Sequence, residues 1–172
     1  MMEVSPIGFL ALLIYLPILL LSIKKDFRLR FSKINSIKKV DLILEAIAGI
    51  LYFLIILINF IIVPSQSVLH LITGLIIYFV GLILTYLGYF KFYKSKELIT
   101  TGIYRYSRNP TYFFGFISLI GIITMTQSFY QVPLLVFLIL ITHKIILNEE
   151  KFLEKKYKKE YLNYKSKIRR YI

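Results

Sequence analysis

The stretch VLHLITGLIIYFVGLILTYLGYF, residues Val68–Phe90, contains no charged side chain. A transmembrane helix needs about 20 consecutive, mostly apolar residues, so this stretch is long enough to cross a membrane. Four further segments come near that length, and together they predict five membrane-spanning helices. The other four are Ile7–Ile23, Val40–Val63, Pro110–Thr126 and Gln131–Leu147.

The composition also predicts an all-α, polytopic membrane protein. The chain has 172 residues, a length typical of a single domain. Its hydrophobic fraction of 58% exceeds that of an ordinary soluble domain, so part of this surface has to face lipid. The absence of Cys excludes disulfides and thiolate zinc sites, and two His argue against a His-rich metal site. We therefore predict no metal.

The basic residues predict the orientation of the chain. The short turns at residues 65–67 and 126–128 carry no charge. All 22 Lys and Arg lie in the other connections, which are residues 24–39, residues 91–109, Lys144 and the tail from Glu149 onward. In the five-span arrangement these positions share one side of the membrane, so the positive-inside rule predicts an N-terminus outside and a cytoplasmic tail. Membrane topology thus explains the net charge of +13 without nucleic-acid binding.

The tail from Glu149 onward predicts a C-terminal cytoplasmic amphipathic helix. Aromatic and aliphatic residues recur near helical spacing, with Lys and Glu between them. The outer face of such a basic helix is expected to lie on anionic lipid headgroups. The apolar positions are Phe152, Leu153, Tyr157, Tyr161, Tyr164 and Ile168.

A polar segment, ITTGIYRYSRNPTYFFG at residues 99–115, interrupts the apolar spans. Asn109 and Pro110 predict the start of the fourth span, because Asn is a favoured N-cap and Pro is favoured in the first helical turn. The free N–H groups of this helix end suit an anion such as a carboxylate, and Arg105 and Arg108 add positive charge beside them.

Other residues of the same segment suit an adenine or a sulfonium. Gly102 allows a tight approach of the backbone. Tyr104, Tyr106 and Tyr112 offer ring faces for stacking and for cation–π attraction. Each of these residues alone is ordinary at a membrane interface. Their combination in one short run is what indicates a binding site.

The motif TTGIYRYSRNPTY, followed after one hairpin by NEEKFLEKKYKKEYLNYKSKIRRYI, resembles the isoprenylcysteine carboxyl methyltransferase and phospholipid methyltransferase group. The pattern of that group is Gly-x-Tyr-Arg-x-x-Arg-His-Pro-x-Tyr, a hydrophobic hairpin, and then Glu-Glu. The resemblance covers roughly residues 97–172. It implies an integral membrane enzyme that uses S-adenosylmethionine, with a methyltransferase region at 91–172 and N-terminal helices at 1–90.

The resemblance also implies which residues bind the cofactor. Asn109 stands where the group has His, and Asn can form hydrogen bonds but cannot carry a charge. Glu149 is expected to bind the cofactor ammonium or ribose hydroxyls, whereas a favourable position near a helix start explains Glu150 nearly as well. The expected cofactor-binding residues are Gly102, Tyr104, Arg108, Asn109, Pro110, Tyr112, Glu149 and Glu150.

The acceptor is predicted to be a lipidic carboxylate such as a C-terminal prenylcysteine, held by Arg105 as the catalytic residue. A carboxylate needs no base, so positioning and charge arrangement suffice. A phospholipid amine is a second possible acceptor, and it requires a base. The sequence is also compatible with a membrane reductase that uses a nicotinamide cofactor, and with a basic membrane protein without enzymatic activity that binds lipid or another subunit.

Several polar residues lie inside the predicted spans. For Asp41 and Glu45, at the start of the second span, we expect pairing with nearby lysines or headgroups. Asn59 and His70 lie near the opposite membrane face and predict interhelical hydrogen bonds. His143 is compatible with lining the binding pocket and with simple packing.

Overall fold

The computed structural model describes residues 5–13, 39–95 and 97–172. Within these ranges the regular structure is entirely helical, which confirms the predicted fold class for this part of the chain. Short 3-10 helices occupy Gly102–Arg105 and Phe129–Gln131. The α-helices are α1 (residues 6–13), α2 (Lys39–Ile61), α3 (Val68–Lys94), α4 (Pro110–Thr126) and α5 (Val132–Lys167).

Three helical stretches are long and apolar enough to cross a membrane, namely Ile43–Ile61, Val68–Lys94 and Phe129–Lys167. The helix α4 is also apolar, but its 17 residues make it shorter than these three. Residues 14–23 of the first predicted span lie outside the described residues. The number of five spans therefore stays a prediction.

The last predicted span does not end at Leu147. Instead α5 continues through Glu149 and Glu150 into the tail, because no Gly or Pro interrupts the sequence there. The backbone leaves the helical conformation at Lys158, with φ 46° and ψ −118°. The amphipathic tail is thus a continuation of α5, and its last part takes a new direction after Lys158.

The helices α3 and α4 pack closely along glycine positions, beside a core that includes the fully buried Tyr78. A Cβ atom at Gly81 would lie 2.6 Å from the Ser118 backbone nitrogen, and one at Gly121 would lie 2.5 Å from the Tyr78 nitrogen. Small residues allow this approach between membrane helices. The close contact places the start of α4 beside the end of α3.

Polar contacts join the elements at the opposite end of the bundle. Asn59 Nδ2 donates to Gln131 Oε1 at 3.0 Å, and Gln131 Nε2 donates to Asn59 Oδ1 at 3.3 Å. His70 Nδ1 and Gln127 Nε2 are 2.8 Å apart. The hydrogen bonds predicted for Asn59 and His70 are therefore present, and they link α2 and α3 to the turn between α4 and α5.

Candidate functional site

A cavity of about 420 Å³ lies between the helices at the end of the bundle where α4 begins. Its volume falls in the range of small-molecule sites, roughly 300–1,000 Å³. Helices α2 to α5 and the 3-10 segment all contribute to its wall. The polar residues among the described lining are Glu45, Tyr52, Thr85, Tyr89, Tyr104, Arg108, Asn109, Thr111, Tyr112, Thr142 and Glu149.

Gly102 starts the 3-10 turn that leads into the cavity wall. Its φ of +66° lies in the left-handed region that favours glycine. A Cβ atom here would lie 3.5 Å from Lys91 Cε, which is an ordinary contact. The backbone angle is thus a reason for glycine at this position, and the tight approach expected from the sequence stays a prediction.

Tyr104 is buried at the cavity wall, whereas Tyr106 is 73% exposed. The Tyr104 carbonyl accepts a hydrogen bond of 2.6 Å from the Tyr164 hydroxyl. Burial raises the pKa of the Tyr104 hydroxyl, and the nearby Tyr164 and Glu149 raise it further. The Tyr104 hydroxyl thus stays protonated.

Asn109 and Pro110 begin α4 as predicted, with Pro110 in the first helical turn. The Asn109 side chain, however, makes no capping hydrogen bond. Its Nδ2 lies 3.4 Å from both Glu150 Oε1 and the Arg170 carbonyl oxygen. The expected side-chain cap is therefore wrong, because the Asn109 amide binds the Glu150 carboxylate and the Arg170 carbonyl oxygen instead.

Arg108 carries a buried guanidinium that is only partly satisfied. Its side chain is 8% exposed, and Nη2 lies 3.5 Å from Glu150 Oε1. Its buried Nε and Nη1 atoms have no hydrogen-bond partner among the residues that the structure describes. Leaving a buried charged donor without a partner is costly, and Arg108 lines the cavity, so an anionic ligand group that reached this guanidinium would stabilise it.

Glu149 presents a carboxylate to the same cavity. The Tyr112 hydroxyl donates a hydrogen bond of 2.8 Å to its Oε1. Among the described residues, none of the Lys, Arg or His side chains lies within ion-pair distance of this carboxylate. A cationic or hydroxyl-bearing ligand group can therefore still bind to it.

Glu150 has a different environment from its neighbour. It is 3% exposed and does not belong to the described lining of the cavity. Arg170 donates two hydrogen bonds to it, from Nε to Oε1 and from Nη2 to Oε2, each 3.0 Å long. The hydrogen bond to this carboxylate raises the pKa of the Arg170 guanidinium. Both oxygen atoms of Glu150 are thus used within the protein.

The segment after Lys158 packs against the loop that precedes α4. Tyr161 and Tyr164 are buried there, so these two members of the predicted amphipathic face do not lie on a membrane surface. Ser107 is fully buried, and its Oγ donates to the Arg170 carbonyl oxygen at 3.1 Å. The C-terminal segment therefore packs against the loop that carries the predicted binding motif.

Five of the predicted site residues line the cavity, and four do not. Arg105 is exposed and is not part of the described lining, so its predicted catalytic role has no contact to support it and stays a prediction. The residues that line the cavity are Tyr104, Arg108, Asn109, Tyr112 and Glu149. Those outside the lining are Gly102, Arg105, Pro110 and Glu150.

Sequence reasoning missed Glu45 as a cavity residue, although an ionisable side chain within a membrane span was a usable signal. Its counterpart Asp41 has a side chain outside the described part of the structure. His143 does not belong to the described lining, and its Nδ1 lies 2.8 Å from the Tyr171 hydroxyl oxygen. Of its two predicted roles, the contact with Tyr171 favours packing.

A family model described as phospholipid methyltransferase matches residues 61–160 of the chain. None of the curated proteins and none of the solved structures matches it. The family match covers more than half of the sequence, so the chain belongs to the phospholipid methyltransferase family. Together with its long apolar helices, this membership makes the protein a membrane methyltransferase.

Proposed function

We propose that this member of the phospholipid methyltransferase family takes a methyl group from S-adenosylmethionine and transfers it to an amine in a lipid headgroup. One observation carries the proposal. Arg108, with two unpartnered nitrogen atoms, and Glu149, without a cation among the described residues, line the same cavity. An acidic and a basic side chain that line one apolar cavity suit a zwitterionic ligand.

The chemistry of S-adenosylmethionine fits these residues. Its amino-acid part carries a carboxylate, which suits Arg108, and an ammonium group, which suits Glu149. Its sulfonium suits the aromatic part of the wall, where Tyr89, Phe92 and Phe116 lie. These complementary charges and ring faces support the cofactor expected from the sequence.

An amine acceptor fits the cavity better than the carboxylate acceptor expected from the sequence. Arg108 is the only Lys or Arg among the described lining residues, and we assign it to the cofactor. A second carboxylate would then have no described cation to bind. Glu45, in contrast, adds a second acid to the wall, and an acid can hold an ammonium headgroup.

The bound cofactor would supply an electrophilic methyl group on its sulfonium. Arg108 and Glu149 would hold and orient the cofactor, and Tyr112 would fix the Glu149 carboxylate through its hydrogen bond. An amine headgroup is protonated in water and has to lose a proton before it can act as a nucleophile. Glu45 is our candidate to accept that proton, since it lines the cavity on α2.

The depth of the cavity suits both reactants. Glu149 lies about 26 Å along α5 from Val132, at 1.5 Å per residue. The hydrocarbon core of a bilayer is about 30 Å thick. A site near this boundary can admit a lipid from the bilayer and a water-soluble cofactor from the predicted cytoplasmic side.

A lipidic carboxylate, such as prenylcysteine, stays the second candidate acceptor. The observation in its favour is that Arg108 lines the cavity and that two of its nitrogen atoms have no hydrogen-bond partner among the described residues, since a guanidinium can hold both oxygens of a carboxylate. In that case Arg108 would bind the acceptor, and the cofactor carboxylate would need another partner.

Cofactor binding is tested with radiolabelled S-adenosylmethionine and the purified full-length protein in detergent. Glu149→Gln and Arg108→Met should each weaken binding about tenfold or more, because each removes a charge-assisted hydrogen bond. The exposed residues Glu160 and Arg105 provide matched controls. Glu160→Gln and Arg105→Met should bind like the wild type, and unchanged binding in all four variants would place the cofactor elsewhere.

The acceptor is tested with liposomes that contain phosphatidylethanolamine or a prenylcysteine analogue, each supplied with labelled cofactor. Methyl transfer to the phospholipid and not to the analogue would support the amine proposal. Glu45→Gln should then reduce turnover more than cofactor affinity. Transfer to the prenylcysteine analogue alone would refute the amine proposal in favour of the second candidate.

A further inference from the structure

The C-terminal segment, residues 168–171, contacts the loop that carries Arg108. The Arg108 backbone N–H donates to the Arg169 carbonyl oxygen at 3.0 Å. The Arg170 carbonyl oxygen accepts from Ser107 Oγ at 3.1 Å. These contacts bring the Arg170 side chain to Glu150, and neither residue belongs to the described lining of the cavity.

Glu150 lies between two guanidinium groups that bind it unequally. Arg170 binds both carboxylate oxygens at 3.0 Å. Arg108 approaches a single oxygen, with Nη2 at 3.5 Å from Oε1, and within the described part of the chain its Nε and Nη1 have no hydrogen-bond partner. The buried carboxylate is therefore satisfied mainly by Arg170.

We propose that Arg170 is a positioning residue, which binds Glu150 so that Arg108 stays available to a carboxylate of the bound ligand. This inference rests on the proposed function, because the ligand carboxylate is that of S-adenosylmethionine. Arg170 itself is not part of the described cavity lining and does not touch the ligand in this proposal.

The physical reason is competition for one buried acid. Removing one partner of a buried ion pair leaves a charge without compensation, which is strongly unfavourable. Without Arg170, Glu150 would need another cation, and Arg108 is already the next nearest one. A rotation of Arg108 toward Glu150 would form a two-point ion pair and use nitrogen atoms that have no hydrogen-bond partner among the described residues.

The experiment compares two ligands that differ only in the carboxylate. Affinities of the full-length protein are measured for S-adenosylmethionine and for its decarboxylated analogue. In Arg170→Ala, we expect S-adenosylmethionine to bind about tenfold more weakly, as for the loss of one charge-assisted hydrogen bond. The affinity for the decarboxylated analogue should stay unchanged, because that ligand has no group for Arg108 to bind.

Arg169→Ala is the matched control. It removes the same charge from the adjacent, exposed residue and keeps the backbone carbonyl that binds Arg108. Both ligands should bind this variant like the wild type. Arg170→Lys keeps a cation beside Glu150 and should recover part of the affinity that Arg170→Ala loses.

A second background separates positioning from general damage to the fold. In Glu150→Gln, the neutral amide carries no negative charge that would attract the Arg108 guanidinium. Adding Arg170→Ala should therefore have little further effect on S-adenosylmethionine binding. Equal weakening of both ligands by Arg170→Ala, or no weakening of either, would refute the inference. Wild-type protein that binds neither ligand would instead refute the proposed function.

Discussion

The Tyr112 hydroxyl donates a hydrogen bond of 2.8 Å to Glu149 Oε1 and so connects the first turn of α4 to α5 at the cavity wall. Tyr112→Phe keeps the ring and removes this bond. We expect S-adenosylmethionine to bind about tenfold more weakly, because the carboxylate loses the group that orients it. Tyr106→Phe, at a position 73% exposed, is the control for isothermal titration of both variants. Equal affinities in the two variants would contradict a role for this bond.

The reciprocal hydrogen bonds between Asn59 and Gln131 should matter for stability and not for ligand binding. Both side chains are fully buried at the end of the bundle opposite the cavity. Asn59→Leu leaves the Gln131 amide without its partner, and a buried unsatisfied polar group costs about 1–3 kcal/mol. Adding Gln131→Leu should therefore cost less than the sum of the two single changes. Unfolding in mixed detergents measures this, and additive losses would contradict the coupling.

The packing of α3 against α4 should depend on glycine. Gly121→Ala places a Cβ atom 2.5 Å from the Tyr78 backbone nitrogen, so the helices have to separate. We expect a lower unfolding temperature, because the close packing of a whole interface is lost. Gly115→Ala lies on the same helix and serves as the control, because a Cβ atom there would meet none of the described atoms outside its own stretch of helix within 4 Å. A thermal shift that is equal in both variants would show that helix propensity, not contact, is being measured.

The predicted orientation can be tested with single cysteines, since the chain has none of its own. Phe129 and Tyr106 are both 73% exposed and lie at opposite ends of the bundle. In intact cells, Phe129→Cys should react with an impermeant thiol reagent, and Tyr106→Cys should react only after the membrane is permeabilised. The reverse pattern would place the binding motif outside the cell and overturn the orientation taken from the basic loops.

Much of the helical pattern and the neighbourhood of the site could be predicted from the sequence, although α5 runs past its predicted end and the number of spans stays a prediction. The length of an apolar segment and the residues that start or stop a helix are properties of short stretches of sequence. The bounds of α4, with Pro110 at its start, therefore agree with the prediction. The same local information picked out Arg108, Tyr112 and Glu149, which share one cavity in the structure. It could not show that the Arg105 side chain is exposed, because the exposure of a loop side chain depends on what packs around the loop.

The different surroundings of Glu149 and Glu150 depend on the tertiary structure. Adjacent residues project about 100° apart around a helix, so one carboxylate lines the cavity while the other points to a different neighbour. That neighbour, Arg170, comes from the tail, which changes direction at Lys158 and packs against the loop before α4. The contact between Arg170 and Glu150 forms only because the chain changes direction and two distant segments pack together. The periodicity of the sequence cannot predict such a contact.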